Sequence, residues 1–145
     1  MESEDRSGSF DKNIVLVFYT SGANDAIPGL MDDYANALTQ AGLSVIKLTF
    51  EKSEVDYAVG LMADGKVLVS LTWLGLGQGI GVQAPGTNAA LNAFELHQVP
   101  LVKLQGDLPA YFIDLHRDVP RNSVNLYQAQ EFLDFRRNWL PECSH

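Results

Sequence analysis

Asn13-Ile-Val-Leu-Val-Phe-Tyr19 and Lys66-Val-Leu-Val-Ser-Leu-Thr72 decide the fold. Both are nearly unbroken apolar runs rich in β-branched residues, where a half-exposed strand would alternate apolar with polar. Continuous apolarity marks strands covered on both faces, as in a parallel sheet sandwiched by helices. The first run leads into Tyr19-Thr-Ser-Gly-Ala-Asn-Asp25, a loop composition. A helix is then predicted from Pro28, because a first turn does not need the missing N–H. Leu30, Tyr34, Leu38 and Ala41 give it one apolar face and Gly42 a stop.

A second strand is predicted over 44–50, then a helix over 54–63 with Ser53 as its N-cap and Val55, Val59 and Met62 inward. After the third strand comes a glycine-rich loop over 73–86. Thr87 is read as the cap of a third helix over 88–97, with Ala90, Leu91 and Phe94 facing the sheet. Val99-Pro-Leu-Val-Lys-Leu104 is a fourth strand, and 105–122 is an irregular connection. A fifth strand over 123–127 and a helix over about 128–140, ended by Pro141, complete the order. The spacing of Phe132, Phe135 and Trp139 assigns them to core packing. No hairpin signal and no internal repeat is read.

Strands alternating with helices imply stacked right-handed βαβ units. The expected fold is α/β: one doubly wound, mainly parallel five-stranded sheet with helices on both faces, Rossmann-like or flavodoxin-like. It spans 13–141, between a flexible arm over 1–12 and a tail over 142–145. Ligands of such sheets bind beyond the carboxyl ends of the strands, which singles out the loops after the first, third and fourth strands.

The 145 residues carry a net charge of -8 and are 46% hydrophobic, a globular composition without a basic cluster. Duplex DNA and anionic membranes are electrostatically poor partners for it. Cys143 stands alone, and His97, His116 and His145 share no ligand spacing, so neither an internal disulfide nor a metal site is expected. No stretch reads as a signal peptide or a membrane span, and the expectation is a cytoplasmic protein without a cofactor.

The first loop lacks GxxxxGK[ST] and reads as either a plain turn or an anion-binding turn. In Trp73-Leu-Gly-Leu-Gly-Gln-Gly-Ile-Gly81, the GxGxxG register fails at Ile80 when counted from Gly75 and at Val82 when counted from Gly77. A dinucleotide site is therefore rejected. The loop is left as a mobile lid or ligand lining, or as a plain surface loop, with Trp73, Gly75 and Gly77 as candidate contacts. His97 is assigned to the helix dipole, and Glu95 to the exposed surface. Gln105-Gly-Asp-Leu-Pro-Ala-Tyr111 and Asp114-Leu-His-Arg-Asp118 concentrate carboxylates, an imidazole and a guanidinium near the rim. Asp107 and His116 are the candidate general bases, with Tyr111 and Arg117 as binding contacts. Arg121 is a further possible anion contact, and a solvated ion-pair group is the plainer reading of Asp114, Arg117 and Asp118.

The stretch over 69–127 resembles the N-terminal domain of bacterial glycosyltransferases of the two-Rossmann (GT-B) type. The matching residues are Ser70-Leu-Thr-Trp-Leu-Gly-Leu-Gly-Gln78 and Asn92-Ala-Phe-Glu-Leu-His-Gln-Val-Pro-Leu-Val-Lys-Leu-Gln-Gly-Asp-Leu-Pro-Ala-Tyr111. The resemblance implies an acceptor-side domain, contacting a carbohydrate acceptor and needing a donor-binding domain or subunit for catalysis. Leu108 stands where members of that family commonly have His, which leaves Asp107, Pro109 and Tyr111 as the matching positions. Two other readings stay open: a non-enzymatic flavodoxin-like ligand-binding module, and an enzyme acting on a small phosphorylated or nucleoside substrate. A receiver is disfavoured, because neither Phe18-Tyr-Thr20 nor Leu71-Thr-Trp73 supplies the acids of a phosphorelay.

Overall fold

The computed structural model describes residues 12–20, 26–117 and 120–140. The arm up to residue 11, residues 21–25 of the first loop, Asp118, and the tail with Cys143 and His145 lie outside the described residues. The chain runs β1 (Ile14–Phe18), α1 (Ala26–Gln40), β2 (Ser44–Leu48), α2 (Lys52–Ala63) and β3 (Val67–Trp73). It continues through β4 (Gly81–Gln83), β5 (Ala90–Asn92), α3 (Ala93–Leu96) and β6 (Leu101–Gln105). A 3-10 turn (Pro109–Tyr111), α4 (Ile113–Arg117), β7 (Ser123–Tyr127) and α5 (Gln130–Trp139) close it.

The apolar runs behave as their composition dictates. Five strands form one parallel sheet in the order β2-β1-β3-β6-β7. Leu16 and Phe18 point to one face, against Ala58, Leu61 and Met62 of α2 and Phe94 of α3. Val15, Val17, Leu71 and Leu104 point to the other, with Met31 and Ala35 of α1. Each β1 position thus feeds one of two cores, so alternation with polar residues is impossible there. The connections leave β1 first towards β2 and then towards β3, placing the switch of strand order between β1 and β3.

The segment between β3 and β6 departs from expectation. In place of a helix over 88–97, β4 and β5 pair antiparallel as a small hairpin, and α3 is only Ala93–Leu96. Pro85 and Gly86, the latter at φ +76, favour a turn, and Thr87 Oγ1 accepts the Ala89 N–H. Asn92, not Thr87, is the cap: its side-chain oxygen accepts from the N–H groups of Phe94 and Glu95. Leu91, expected to face the sheet, is exposed, while Phe94 is fully buried.

Three other expectations shift. α2 begins at Lys52, and its N-cap is Glu51, not Ser53. Glu54 reaches back to accept from the backbone N–H and the hydroxyl of Thr49, which holds its carboxyl below the ordinary value. On α1 the buried positions are Met31 and Ala35, and Tyr34 is exposed. Trp139, assigned to the core from its spacing, is 72% exposed and stacks on Phe135, while Arg136 and Leu140, one turn apart on the covered side of α5, are buried.

Packing across the rim is tight at Gly106, where a Cβ would stand 2.0 Å from Trp73 Cη2. Gly106→Ala is therefore expected to lower unfolding free energy by about 1–3 kcal/mol through overpacking. Gly79→Ala, with nothing within 4 Å of its Cβ, should change it by less than about 0.5 kcal/mol. Denaturant titration of both variants checks the contrast; equal effects would refute the Trp73–Gly106 constraint.

Candidate functional site at the carboxyl rim

The loops after β3 and β6, read separately in sequence, are brought together by the sheet. β3 and β6 are neighbours in register, with Thr72 beside Lys103 and Trp73 beside Leu104. The Trp73 ring lies over Gly106, next to Asp107. Gly75 sits against the Lys103 stem and the Gln78 side chain, and Gly77 against the Phe50 ring, both glycines at positive φ. Side chains at these positions would collide with those neighbours and strain the backbone.

The glycine loop is not a surface lid. Its turns close successively, with Leu76 N–H donating to Trp73 O, Gln78 N–H to Gly75 O and Ile80 N–H to Gly77 O. Trp73, Leu74, Gly75 and Gln78 are buried. Leu74 adopts φ 55, uncommon for a side-chain-bearing residue, and is held there as its N–H donates to Leu104 O at 2.8 Å.

Beneath this loop lies a polar row that sequence reading missed. Thr72, Lys103 and Asn125 are register partners across β3, β6 and β7, so their side chains share one face. Lys103 is wholly buried, and its Nζ donates to Gln78 Oε1 and to Leu115 O, each at 3.2 Å. Thr72 Oγ1 donates to Leu76 O, and Gln105 Nε2 to Asn125 Oδ1. The signal was present: a lysine inside the otherwise apolar Val99-Pro-Leu-Val-Lys-Leu104 needs buried partners.

The candidate residues fall into two groups. Asp107 is exposed, and Tyr111, on the 3-10 turn, is 75% exposed. Arg117 is exposed at the end of α4. Trp73, Gly75 and Gly77 are packing elements of the rim, the first two of them buried. His116 is 2% exposed, stacked on Tyr127 with its Nδ1 3.4 Å from the phenol oxygen. The structure thus separates His116, in the interior, from Asp107 and Tyr111 at the surface. Burial, assisted by the charges of Lys103 and Arg136, pushes the imidazole down to about 4. It is neutral at pH 7, and well below the range suited to a general base there.

Elsewhere, Glu95 is exposed as expected and its carboxylate accepts the Arg121 N–H, while His97 caps the end of α3. A cavity of about 290 Å³ opens at the tips of β1 and β2, lined by Tyr19, Thr20, Thr49, Phe50 and Glu51. Among the described residues no cluster of three His, Cys, Asp or Glu is placed to hold a metal, and no helix is long and apolar enough to cross a membrane. Comparison with family models, with curated protein sequences and with solved structures gave no match.

The His116 environment sets a pH dependence. Its folded pKa, about 4, lies below the ordinary 6.5, so the unfolded chain binds the proton more tightly. This contribution is intact above pH 6.5 and is lost as pH falls towards 4, on the order of 2–3 kcal/mol in all. Unfolding free energies measured from pH 7 to 4 should fall more steeply for the native chain than for His116→Gln. Parallel curves would sink this assignment.

Proposed function

We propose that the chain is an acceptor-side Rossmann-like domain of the GT-B glycosyltransferase type, which contacts a carbohydrate and needs a donor-binding domain or subunit for transfer. One observation carries it: an exposed carboxylate, Asp107, and an exposed aromatic ring, Tyr111, follow β6 at the sheet's carboxyl rim. A phenol ring offers an apolar face with a polar tip, suited to the C–H face and hydroxyls of a sugar. A carboxylate accepts from a hydroxyl and, correctly placed, takes its proton. Pro109 and the buried Trp73–Gly106 contact hold this turn in place, so that little conformational entropy is lost on binding. Asp107 is the candidate base and Tyr111 the platform, and the exposed Arg117 is the candidate contact for a negatively charged substituent. His116, inside the domain, acts on the shape of the rim through Tyr127.

Saturation-transfer NMR with an oligosaccharide panel tests this reading. At least one neutral glycan should bind, and Tyr111→Ala or Asp107→Asn should weaken it about fivefold or more, near 1 kcal/mol. Sugar nucleotides should bind weakly or not at all by calorimetry. Tight nucleotide binding to this chain alone would overturn the division into acceptor and donor halves.

A flavodoxin-like binding module is the second reading, favoured by the strand order, which is that of flavodoxin when the five sheet strands are numbered in sequence. Flavin added to purified protein separates the two readings: a bound, yellow complex with quenched fluorescence supports the module, and unaltered fluorescence counts against it.

A further inference from the structure

Glu51 stands at the amino end of α2 without serving it. It occupies the N-cap position, yet its carboxylate accepts no N–H of the helix. The neighbouring acid behaves differently: Glu54 turns back to the N–H and hydroxyl of Thr49 and is occupied there. The lysines nearest Glu51 in sequence are also committed, Lys47 to Asp32 at 2.8 Å and Lys52 to Asp56. Among the described residues, Glu51 joins no ion pair. A solvated carboxylate is ordinary by itself, but this one lines a cavity.

That cavity, of about 290 Å³ at the tips of β1 and β2, is lined by Tyr19, Thr20, Thr49, Phe50 and Glu51. It lies on the carboxyl edge of the sheet, beside the switch of strand order, where sheets of this kind bind ligands. Tyr19 and Phe50 are only partly buried. The Phe50 ring is fixed before any ligand arrives. It stacks on the buried Phe18 ring with centroids 5.5 Å apart, and Gly77 of the glycine loop packs against its edge. The lining holds no Lys, Arg or His. An anion would meet the like charge of Glu51 and no counter-charge.

A carboxylate only accepts, so its ligand must donate, through a hydroxyl or through a cationic N–H group. The cation is favoured here. No ion pair neutralises Glu51, the aromatic rings beside it attract positive charge, and the net charge of -8 concentrates cations around the chain. The Thr20 hydroxyl oxygen adds a second acceptor, which suits N–H donors and so a primary ammonium over a quaternary one. We propose that this cavity binds a small primary amine in its ammonium form. The N–H groups donate to Glu51 and Thr20, and the apolar body lies against Phe50 and Tyr19. The lining offers nothing to a carboxylate, so the ligand class is an amine without a neighbouring acid, not an amino acid. This inference is independent of the carbohydrate reading, which concerns the turn after β6, and either can fail alone.

Ligands of one shape isolate the charge: phenethylammonium, phenylethyl alcohol and phenylacetate, each titrated into the full chain at fixed ionic strength and followed by amide chemical shifts. Phenethylammonium should bind with a Kd on the order of 1 mM and shift the amides of Tyr19, Thr20, Phe50 and Glu51. The alcohol and phenylalanine should bind about fivefold more weakly or worse, and phenylacetate should not bind. Glu51→Gln removes the charge and no cap bond, so Tm should stay that of the native chain while the advantage of ammonium over alcohol disappears. Thr20→Val should weaken ammonium binding about threefold, and Glu131→Gln, which alters an exposed acid of α5 outside the cavity, should leave it within about twofold. The proposal is overturned if phenethylammonium does not bind, if the alcohol binds as tightly, if the shifts centre on other residues, or if the preference for ammonium survives Glu51→Gln. Should Glu51→Gln lower Tm, the charge series on the native chain and Thr20→Val decide. Tighter binding of tetramethylammonium, phenylalanine or phenylacetate than of phenethylammonium would overturn the choice of ligand.

Discussion

The Lys103 ammonium has no contact with solvent, so every part of the rim that touches it must act as its solvent. Its Nζ reaches Gln78 on the glycine loop and the Leu115 carbonyl on α4. One side chain on a central strand therefore ties two loop systems to the sheet. The glycines follow from this. Gly75 lies against the Lys103 stem, so the loop can descend to the ammonium only where no Cβ intervenes. Leu74 pays for the same descent with a left-handed backbone.

Around that tie, the rim divides into a rigid interior and an exposed lip. Inside are Lys103, Gln105, His116 and Arg136, all less than 10% exposed. Outside stand Asp107, Tyr111 and Arg117. Groups of the first kind set the shape and electrostatic potential of the rim, and those of the second kind face solvent. Burial first, and then the charges of Lys103 and Arg136, disfavour the protonated form of His116.

The apolar runs and their alternation with helices were enough, by themselves, to determine a parallel sheet with helices on both faces, because a central strand such as β1, in contact with two cores, has no polar face to conserve. β7 was legible to the residue, over Ser123–Tyr127. The hairpin of β4 and β5 was not. Its strands are only three residues each, and too short for a period of two to be told from a helical one. The capping role also lay with Asn92 and not Thr87, a choice made by which hydroxyl or amide ends up beside free N–H groups. Trp139 failed for a related reason: helical spacing shows which residues share a side of α5, and not which side the domain covers, and that is the side of Arg136 and Leu140.

For the site, the sequence by itself determined which residues cluster along the chain, Asp107 to Arg117, and that they follow a buried strand. Only the tertiary structure decided which of them face water. His116 and Tyr111 are five residues apart in sequence, yet one is 2% exposed and the other 75%. Nor could linear order show that Lys103, Gln78 and Leu115 meet, or that Arg136 comes to rest near His116. The reason is physical. Local composition fixes the periodicity and polarity of each element, but the burial of a charge is a property of what packs over it. That is settled only when β6, β7, α4 and α5 close around the same space.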